Sequence, residues 1–490
     1  MTGLLSSPHE EVSAMAALAI GSWGVKEGRD RLQEVAKSES TKVSTRLPAI
    51  DSVAAIGGPG TIETLRTIAN GEYDAAARVH AAAALVKVDA GIAASTTTKL
   101  LASADVQLDP AHVITAFIEQ KDAAPALIKA LKDAKLPTDV AKRAVRVAKS
   151  SAKPNAELVA ALRTAGGIRG DAWRLSAEQT RQLVEEIATK GDAARGEAIY
   201  RRKDTACLKC HAIGGAGGQV GPDISSIGGS AQLDYLVESI LEPSKKIKEN
   251  YNSVVVQTDD GKVLTGVLVR QTDKDLILRN AEDQEIAVPL KSIEERSNGL
   301  SLMPLGLTDS LTRDELIDVV KFMSQLGKVD GGYTLSKAKL LRRWQVLENT
   351  KEAGERLRRD RVAAAATNDA GLTWSPVYST VAGVLPLDGL PTFGAKWNNL
   401  VTLPSVTIVR GELQVTTPGE TKLALNTPIG VSLWVDGKPV TVAAEIPLSL
   451  TPGRHKLTFA IDREKRTEPL RVEVLDVAGS AANVQVVGGK

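Results

Sequence analysis

The chain has 490 residues, of which 43% are hydrophobic and 24% charged, and its formal net charge at pH 7 is +2. This composition is typical of folded domains and excludes disorder along most of the chain, and the small charge does not favour nucleic acid as a partner. No run of about 18 apolar residues is present, so we predict no membrane span. Two cysteines are too few for a disulfide framework.

Residues 1–167 carry a repeated helical pattern. Blocks that begin at Ala14, Arg46 and Arg78 are spaced 32 residues apart, and each is followed by a break and a second apolar helix. Two looser helix pairs complete the segment. Because a single helix pair cannot bury its apolar face, such copies stack into a solenoid. The segment resembles HEAT repeats, which implies either a spacer or a surface that binds a partner.

The pattern changes after a connecting helix, predicted over 176–189. Next comes the motif Cys207-Leu208-Lys209-Cys210-His211. In c-type cytochromes, two cysteines with this spacing attach to the haem vinyl groups and the adjacent histidine ligates iron. A thioredoxin-like pair would follow a strand, and a zinc site would need further ligands, but the chain has no other cysteine. The motif therefore predicts one covalent haem c, attached at Cys207 and Cys210, with His211 as an iron ligand.

A low-spin haem iron needs a second axial ligand, and two methionines are candidates. Met303 precedes Pro304, which disfavours helical backbone at residue 303 and leaves the thioether on a loop. Met323 lies in a helix predicted over 312–326 and is expected to be a core residue. We therefore predict Met303 as the distal ligand. The remaining histidines are expected to have surface or packing roles: His9, His80, His112 and His455.

Residues 191–328 resemble a class I cytochrome c domain. The similarity rests on the following positions: Asp192, Gly196, Glu197 and Tyr200 of the first helix, Cys207 to His211, Gly221-Pro222-Asp223, Met303-Pro304, and Phe322 of the last helix. The resemblance implies that the Pro222 carbonyl accepts a hydrogen bond from Nδ1 of His211 and so orients the ring. It also implies that the last helix crosses the first at Gly196.

Met303 follows His211 by 92 residues, which is long for this class. Residues 252–290 switch to period-two alternation with Asp and Gly turns, and this predicts four strands in a meander or small barrel. Such a β insertion is a feature of haem-binding domains of the planctomycete and verrucomicrobial type. The chain resembles these domains over repeats and haem domain together, and in that family the haem domain commonly follows a dehydrogenase-like β-propeller.

The remaining segments complete a multidomain fold: an all-α HEAT-like solenoid, a mostly-α cytochrome c domain with a small β insertion, and an all-β sandwich. Residues 335–365 are predicted to be a helical linker with one apolar stripe, and its arginines to be a solvated face rather than a phosphate-binding patch. Residues 371–490 alternate like a β-sandwich and faintly resemble carbohydrate-binding modules. Trp397 and Trp434 are candidates for contacting a polysaccharide, although burial is favoured for Trp434.

The function expected from these features is electron transfer through a His/Met-ligated haem, without catalysis, with a dehydrogenase domain or partner protein as electron donor. A peroxidase-type haem enzyme, or a carbohydrate- or protein-binding scaffold with an auxiliary haem, is the alternative. Haem is attached outside the cytoplasm, so we expect a periplasmic or otherwise exported protein. The sequence begins without a signal peptide, and the expectation is therefore that its N-terminus is incomplete.

Overall fold

A computed structural model of the chain describes residues 2–7, 9–103, 108–150, 155–168, 175–367, 371–397 and 400–487. The chain divides into two compact units. The first unit comprises residues 1–175, 202–205 and 305–317, and the second comprises 176–201, 206–304 and 318–490.

The first unit is a double layer of helices. Its helices are α1 Glu10–Ser22, α2 Arg29–Lys37, α3 Val43–Ile56, α4 Thr61–Asn70, α5 Ala75–Val88, α6 Ala90–Ala102, α7 Ala111–Glu119, α8 Ala124–Leu131, α9 Thr138–Ser150 and α10 Ala156–Ala165. The odd-numbered helices pack on one another in order, and so do the even-numbered ones. A continuous core rich in Ala and Leu lies between the two layers. The predicted stack of helix pairs is therefore observed, because small side chains let neighbouring helices approach closely.

Short side chains define where the repeat helices begin. Asp74 precedes α5 and its carboxylate accepts the N–H of Ala77 at 2.8 Å, and Asp89 does the same for Ile92 at the start of α6. These caps satisfy amide groups that have no partner inside the helix.

The second unit begins with short helices. They are α11 Ala177–Lys190, α12 Ala193–Tyr200, α13 Cys207–Cys210, α14 Ile227–Ser230 and α15 Leu233–Leu241. Helix α16 is Arg313–Gln325, of which residues 313–317 belong to the first unit and the rest to the second. Both predicted helix starts are confirmed: Ser176 and Gln179 form a capping box at α11, and Thr312 and Glu315 form one at α16.

The β insertion is an antiparallel sheet with one more strand than the sequence analysis predicted. Its strands are β1 Ser253–Thr258, β2 Val263–Gln271, β3 Asp275–Arg279, β4 Glu285–Pro289 and β5 Ile293–Asn298, in the order β4-β3-β2-β1-β5. The fifth strand lies beyond residue 290 and pairs with β1. It was missed because only Ile293 is apolar and the strand is otherwise exposed and charged, so it lacks the alternation that marks a half-buried strand.

The C-terminal part of the second unit is a β-sandwich that begins earlier than expected. Its strands are β6 Lys339–Leu340, β7 Arg343–Leu347, β8 Trp374–Tyr378, β9 Phe393–Trp397, β10 Leu400–Thr417, β11 Gly419–Leu425, β12 Val431–Val435, β13 Lys438–Val440, β14 Glu445–Leu450, β15 Gly453–Asp462, β16 Val472–Asp476 and β17 Asn483–Val486. One sheet has the order β13-β12-β15-β10-β7-β8, with β9 and β17 also paired to β10, and the other is β14-β11-β16-β6. Their inner faces share one apolar core.

The prediction of a helical linker over 335–365 is therefore wrong for its first half. Residues 343–347 form β7, which pairs with both β8 and β10, and only α17, Lys351–Asp360, is α-helical. The apolar residues there fit a helical stripe as well as a strand. Trp344 and Val346 are both buried on the same side of β7, and this alternation is that of a strand rather than a helix.

Candidate functional site

Helix α13 is a single turn that sets the spacing of the two cysteines. The chain enters it through Ala206 in a left-handed conformation, with φ of 53°. The amide of His211 donates to the carbonyl of Cys207 at 2.9 Å, which closes the turn. Both thiols are half-buried and are not joined by a disulfide. The turn therefore presents two thiols one helical turn apart, with the histidine directly after them.

The imidazole of His211 has a defined orientation. Its Nδ1 lies 2.9 Å from the carbonyl oxygen of Pro222, the contact that the cytochrome resemblance implied. Because a carbonyl oxygen only accepts hydrogen bonds, Nδ1 must carry the proton. Burial lowers the pKa of His211, against the opposing effects of Pro222 and Asp223. The neutral ring is therefore favoured, and its Nε2 has a lone pair available for a metal.

Glycines allow the loop after α13 to fold tightly over the histidine. A Cβ atom built on Gly221 would lie 2.8 Å from Nδ1 of His211, so only glycine lets this backbone approach the ring so closely. Gly217 has a φ of 136°, a conformation that L residues rarely adopt. The amides of Gly218 and Gly221 donate to carbonyls of the CxxC turn, at 2.9 Å to Leu208 and 2.8 Å to Cys210. The loop of residues 212–222 thus folds around His211, and we call this loop the cradle.

Three contacts from distant parts of the second unit support this cradle. The Tyr200 hydroxyl lies 3.4 Å from the carbonyl of His211. Asp283, in the β3–β4 turn of the insertion, accepts the amide of Gln219 at 3.2 Å. Arg343 of β7 donates to the carbonyl of Gly217 at 3.2 Å. The sequence analysis did not identify Asp283 or Arg343, because each reaches the cradle through sheet pairing that local patterns do not reveal.

The crossing of α12 and α16 occurs at the position that the resemblance implied. A Cβ atom on Gly196 would overlap the carbonyl of Asp318 and lie 2.7 Å from Cβ of Phe322, so the two helices approach as closely as their backbones allow. The rings of Tyr200 and Phe322 pack with centroids 5.6 Å apart. Arg195 adds an ion pair to Asp318 at 2.8 Å.

The two methionine candidates occupy different environments. Met323 is 8% exposed in α16, so its prediction as a core residue is confirmed. Met303 lies in a non-helical loop and is half-buried. Its amide donates to the hydroxyl of Ser301 at 3.2 Å, and the amide of Ser301 donates to the hydroxyl of Ser244 at 3.3 Å. The loop is thereby held near the end of α15, while its role as a source of the distal ligand stays a prediction.

The thiol environment bears on the chemistry of attachment. Burial raises the pKa of Cys210, with Lys209 opposing and Asp283 reinforcing the shift. A raised pKa favours the neutral thiol over the thiolate at neutral pH. The folded cradle therefore does not activate Cys210 as a nucleophile.

The arginines of residues 335–365 and two tryptophans are the other side chains predicted to lie at the surface or to contact a ligand. Arg342 is buried and donates to the carbonyls of Thr380 and Val381, so it does not belong to a solvated basic face. Trp434 is partly buried and packs against an apolar cluster of the sandwich. The side chain of Trp397 lies outside the described residues.

Comparison with known proteins identifies the class of the N-terminal region. A family model described as HEAT repeats matches residues 1–86, which contain α1 to α4 and most of α5. The chain therefore begins with HEAT-like helical repeats, as its 32-residue spacing predicted. No curated protein shows a significant match. Among the helices that the structure describes, none has the length and hydropathy required to cross a bilayer.

Proposed function

We propose that the protein is a c-type cytochrome that transfers electrons through a single haem, attached at Cys207 and Cys210 and ligated by His211. The observation that carries the proposal is the hydrogen bond from Nδ1 of His211 to Pro222. It supports the proposal because it fixes the tautomer with the lone pair on Nε2, the form in which histidine binds a metal.

The donor set fits a haem of this type. The two cysteines are one helical turn apart, neither is engaged in a disulfide, and Gly221 leaves room for the imidazole where a Cβ atom would displace it. When bound, the haem would supply one-electron oxidation and reduction of its iron. The protein would hold the imidazole in place through Pro222 and Gly221 and limit the access of water to the ring.

Other parts of the proposal follow from this chemistry. Electron transfer requires no bond making on a substrate, so we infer a carrier rather than an enzyme. Its electron donor would be a dehydrogenase domain or partner protein. Since haem is attached outside the cytoplasm, the protein would act in the periplasm or another exported location.

The attachment is tested by producing the full chain together with a cytochrome c maturation system. Two thioether bonds should keep haem on the protein through acid–organic extraction, and the reduced-minus-oxidised spectrum should be that of a c-type haem. The double variant Cys207→Ala plus Cys210→Ala should retain no haem after acid–organic extraction. Lys209→Ala, which changes an exposed residue between the two cysteines, is the matched control and should retain it. Haem that survives extraction in the double variant would refute covalent attachment.

The distal ligand is tested with a pair of methionine variants. A thioether favours reduced iron, so Met303→Ala should lower the reduction potential, abolish the sulfur-to-iron absorption band and admit carbon monoxide. Met323→Ala should keep the band and lower the free energy of unfolding by about 2–5 kcal/mol, because a buried side chain is truncated. Loss of the band in Met323→Ala alone would reverse the assignment.

A further inference from the structure

A second group of potential metal ligands lies in the repeat unit, remote in sequence from the CxxCH motif. Three successive helices of the odd-numbered layer each contribute one residue: Asp51 from α3, His80 from α5 and His112 from α7. One ligand atom from each residue lies within 4.8 Å of the other two. Sequence spacing did not predict this group, because its members come from three different repeats.

The polar atoms of this group lie close together but do not satisfy one another's hydrogen-bonding capacity. Nδ1 of His80 lies 3.8 Å from Oδ2 of Asp51, which is too long for a hydrogen bond. Within the described part of the chain, no protein group forms a hydrogen bond with this buried nitrogen. The rings of His80 and His112 stack with centroids 3.9 Å apart and planes inclined by 21°. A buried ring nitrogen that no protein group satisfies is free to interact with a bound ion, and here two further ligand atoms lie beside it.

From this convergence we propose that Asp51, His80 and His112 form a binding site for a divalent transition-metal ion of the Zn²⁺ class. Two imidazoles and one carboxylate are ligands that Zn²⁺ accepts, whereas Mg²⁺ and Ca²⁺ prefer oxygen ligands alone. Three protein ligands leave a fourth tetrahedral position for water or for a group from a partner.

Binding requires a modest rearrangement of side chains. Zinc ligands lie about 2.0–2.2 Å from the ion, so on binding the three ligand atoms, which lie within 4.8 Å of one another, must move closer together. The lone pair of an imidazole lies in the plane of its ring, so the stacked rings cannot both point at one ion. His112 is exposed and Asp51 is half-buried, so neither side chain belongs to the buried core, and we expect both to turn toward His80 on binding.

The consequence for the repeat array is a cross-link between three neighbouring repeats. Each repeat of a solenoid otherwise contacts only the repeats next to it, so an ion that joins α3, α5 and α7 would stiffen this part of the layer. An ion that binds only the folded array stabilises it in proportion to the logarithm of its concentration. Zn²⁺ should therefore raise the melting temperature of the repeat unit.

The test is a titration of the full-length, metal-free protein with Zn²⁺, followed by calorimetry and by thermal unfolding. Wild-type protein should bind one ion at this site and melt at higher temperature when it is added. His112→Ala and Asp51→Asn should each weaken the affinity by more than about 10-fold and remove the thermal shift. His9→Ala changes another exposed histidine of the same unit and should leave binding unchanged.

Apo-protein thiols are a competing source of Zn²⁺ affinity, so the experiment is repeated in the variant Cys207→Ala plus Cys210→Ala. The site should persist there, with the affinity and the thermal shift that it shows in wild-type protein. Binding that vanishes in the cysteine variant but is unaffected by His112→Ala would overturn the proposal, as would an unchanged melting temperature in wild-type protein. Because His112 is exposed, its variant is expected to fold, and the test does not depend on truncating His80.

Discussion

The repeat unit and the cradle around His211 reach a defined structure in different ways. In the repeat unit, many similar Ala and Leu side chains share one core between two helical layers. In the cradle, single atoms determine the geometry: the carbonyl of Pro222, the missing side chain of Gly221 and the carboxylate of Asp283. We therefore expect a substitution in the repeat unit mainly to lower stability, and one in the cradle mainly to impair the haem binding proposed above.

The largest expected effects separate these two outcomes. Leu85 is fully buried in α5, and Leu85→Ala should lower the free energy of unfolding of the repeat unit by about 2–5 kcal/mol while leaving haem content unchanged. Gly221→Ala should instead push the imidazole away from Pro222 and reduce haem incorporation or shift the reduction potential. Denaturant unfolding and haem quantification on both variants check this pair. The comparison fails if Leu85→Ala lowers haem content as strongly as Gly221→Ala does.

A second prediction compares two helical glycines. Gly196→Ala places a Cβ atom against the backbone of Asp318 and should cost about 1–3 kcal/mol, because the helix crossing must open. Gly91, in α6 of the repeat unit, meets only one atom at 3.4 Å, so Gly91→Ala should be neutral or slightly stabilising. Chemical denaturation of the two variants measures the difference. Equal losses in both would show that the crossing at Gly196 is not as close as described.

The third prediction concerns acid, and it applies to the first unit. Burial alone would raise the pKa of Glu315, but hydrogen bonds from Arg202, the amide of Thr312 and Arg146 lower it to about 2. A carboxylate with a lowered pKa contributes stability above its unfolded value of 4.5, and that contribution is lost as the pH falls toward about 2. Unfolding monitored between these values should show the loss in wild-type protein and a weaker pH dependence in Glu315→Gln. An identical pH dependence would contradict the assignment.

The sandwich is expected to respond to pH in the opposite direction. His455 donates from Nδ1 to Asp436 and from Nε2 to Thr451, both at 2.7 Å, so the ring must carry two protons. Burial lowers its pKa, but these two hydrogen bonds outweigh burial and the net pKa is raised above 6.5. The stabilisation is complete below 6.5 and is lost as the pH rises through the raised pKa. Titration of the imidazole by NMR checks this directly, and a pKa below 6.5 would contradict stabilisation of the doubly protonated ring by the fold.

The smallest effect is expected at the entry to α13. Ala206 has a φ of 53°, which costs an L residue about 1–2 kcal/mol, whereas glycine adopts it freely but loses more entropy on folding. Ala206→Gly should therefore stabilise the second unit by less than about 1 kcal/mol. Thermal unfolding compared with Ala90→Gly, a change at the start of α6 without a left-handed backbone, provides the control. Destabilisation of similar size in both would argue against strain at residue 206.

Sequence patterns predicted the parts of this fold that repeat or that have local signals. The 32-residue spacing identified the helical repeats, and the sequence predicted helices over 176–189 and 312–326, where α11 and α16 lie. Strands β5 and β7 could not be predicted, because β5 is nearly all exposed and the apolar residues of β7 also fit a helix. Both segments are strands because they pair with distant strands, and local periodicity does not encode such pairing.

The same distinction between local and distant residues applies to the two candidate sites. Cys207, Cys210, His211 and Pro222 are close in sequence, so their grouping could be anticipated from the motif and the cytochrome resemblance. Asp283 and Arg343 join the cradle from a turn and a strand far along the chain. The group of Asp51, His80 and His112 depends on the stacking of three repeats and could be seen only in the folded array.

The long sequence separation of the cradle's supports has a consequence for the order of folding. The hydrogen bond between Gln219 and Asp283 joins residues 64 positions apart, and the one between Gly217 and Arg343 joins residues 126 positions apart. Neither bond can form until the later residue has been synthesised. At about 5–20 residues per second, roughly 6–25 s of synthesis separate the cradle from its last support. During biosynthesis the CxxCH segment therefore precedes the residues that close over it. In that interval Cys207 and Cys210 are already part of the nascent chain, whereas the hydrogen bonds of the cradle with Asp283 and Arg343 have yet to form.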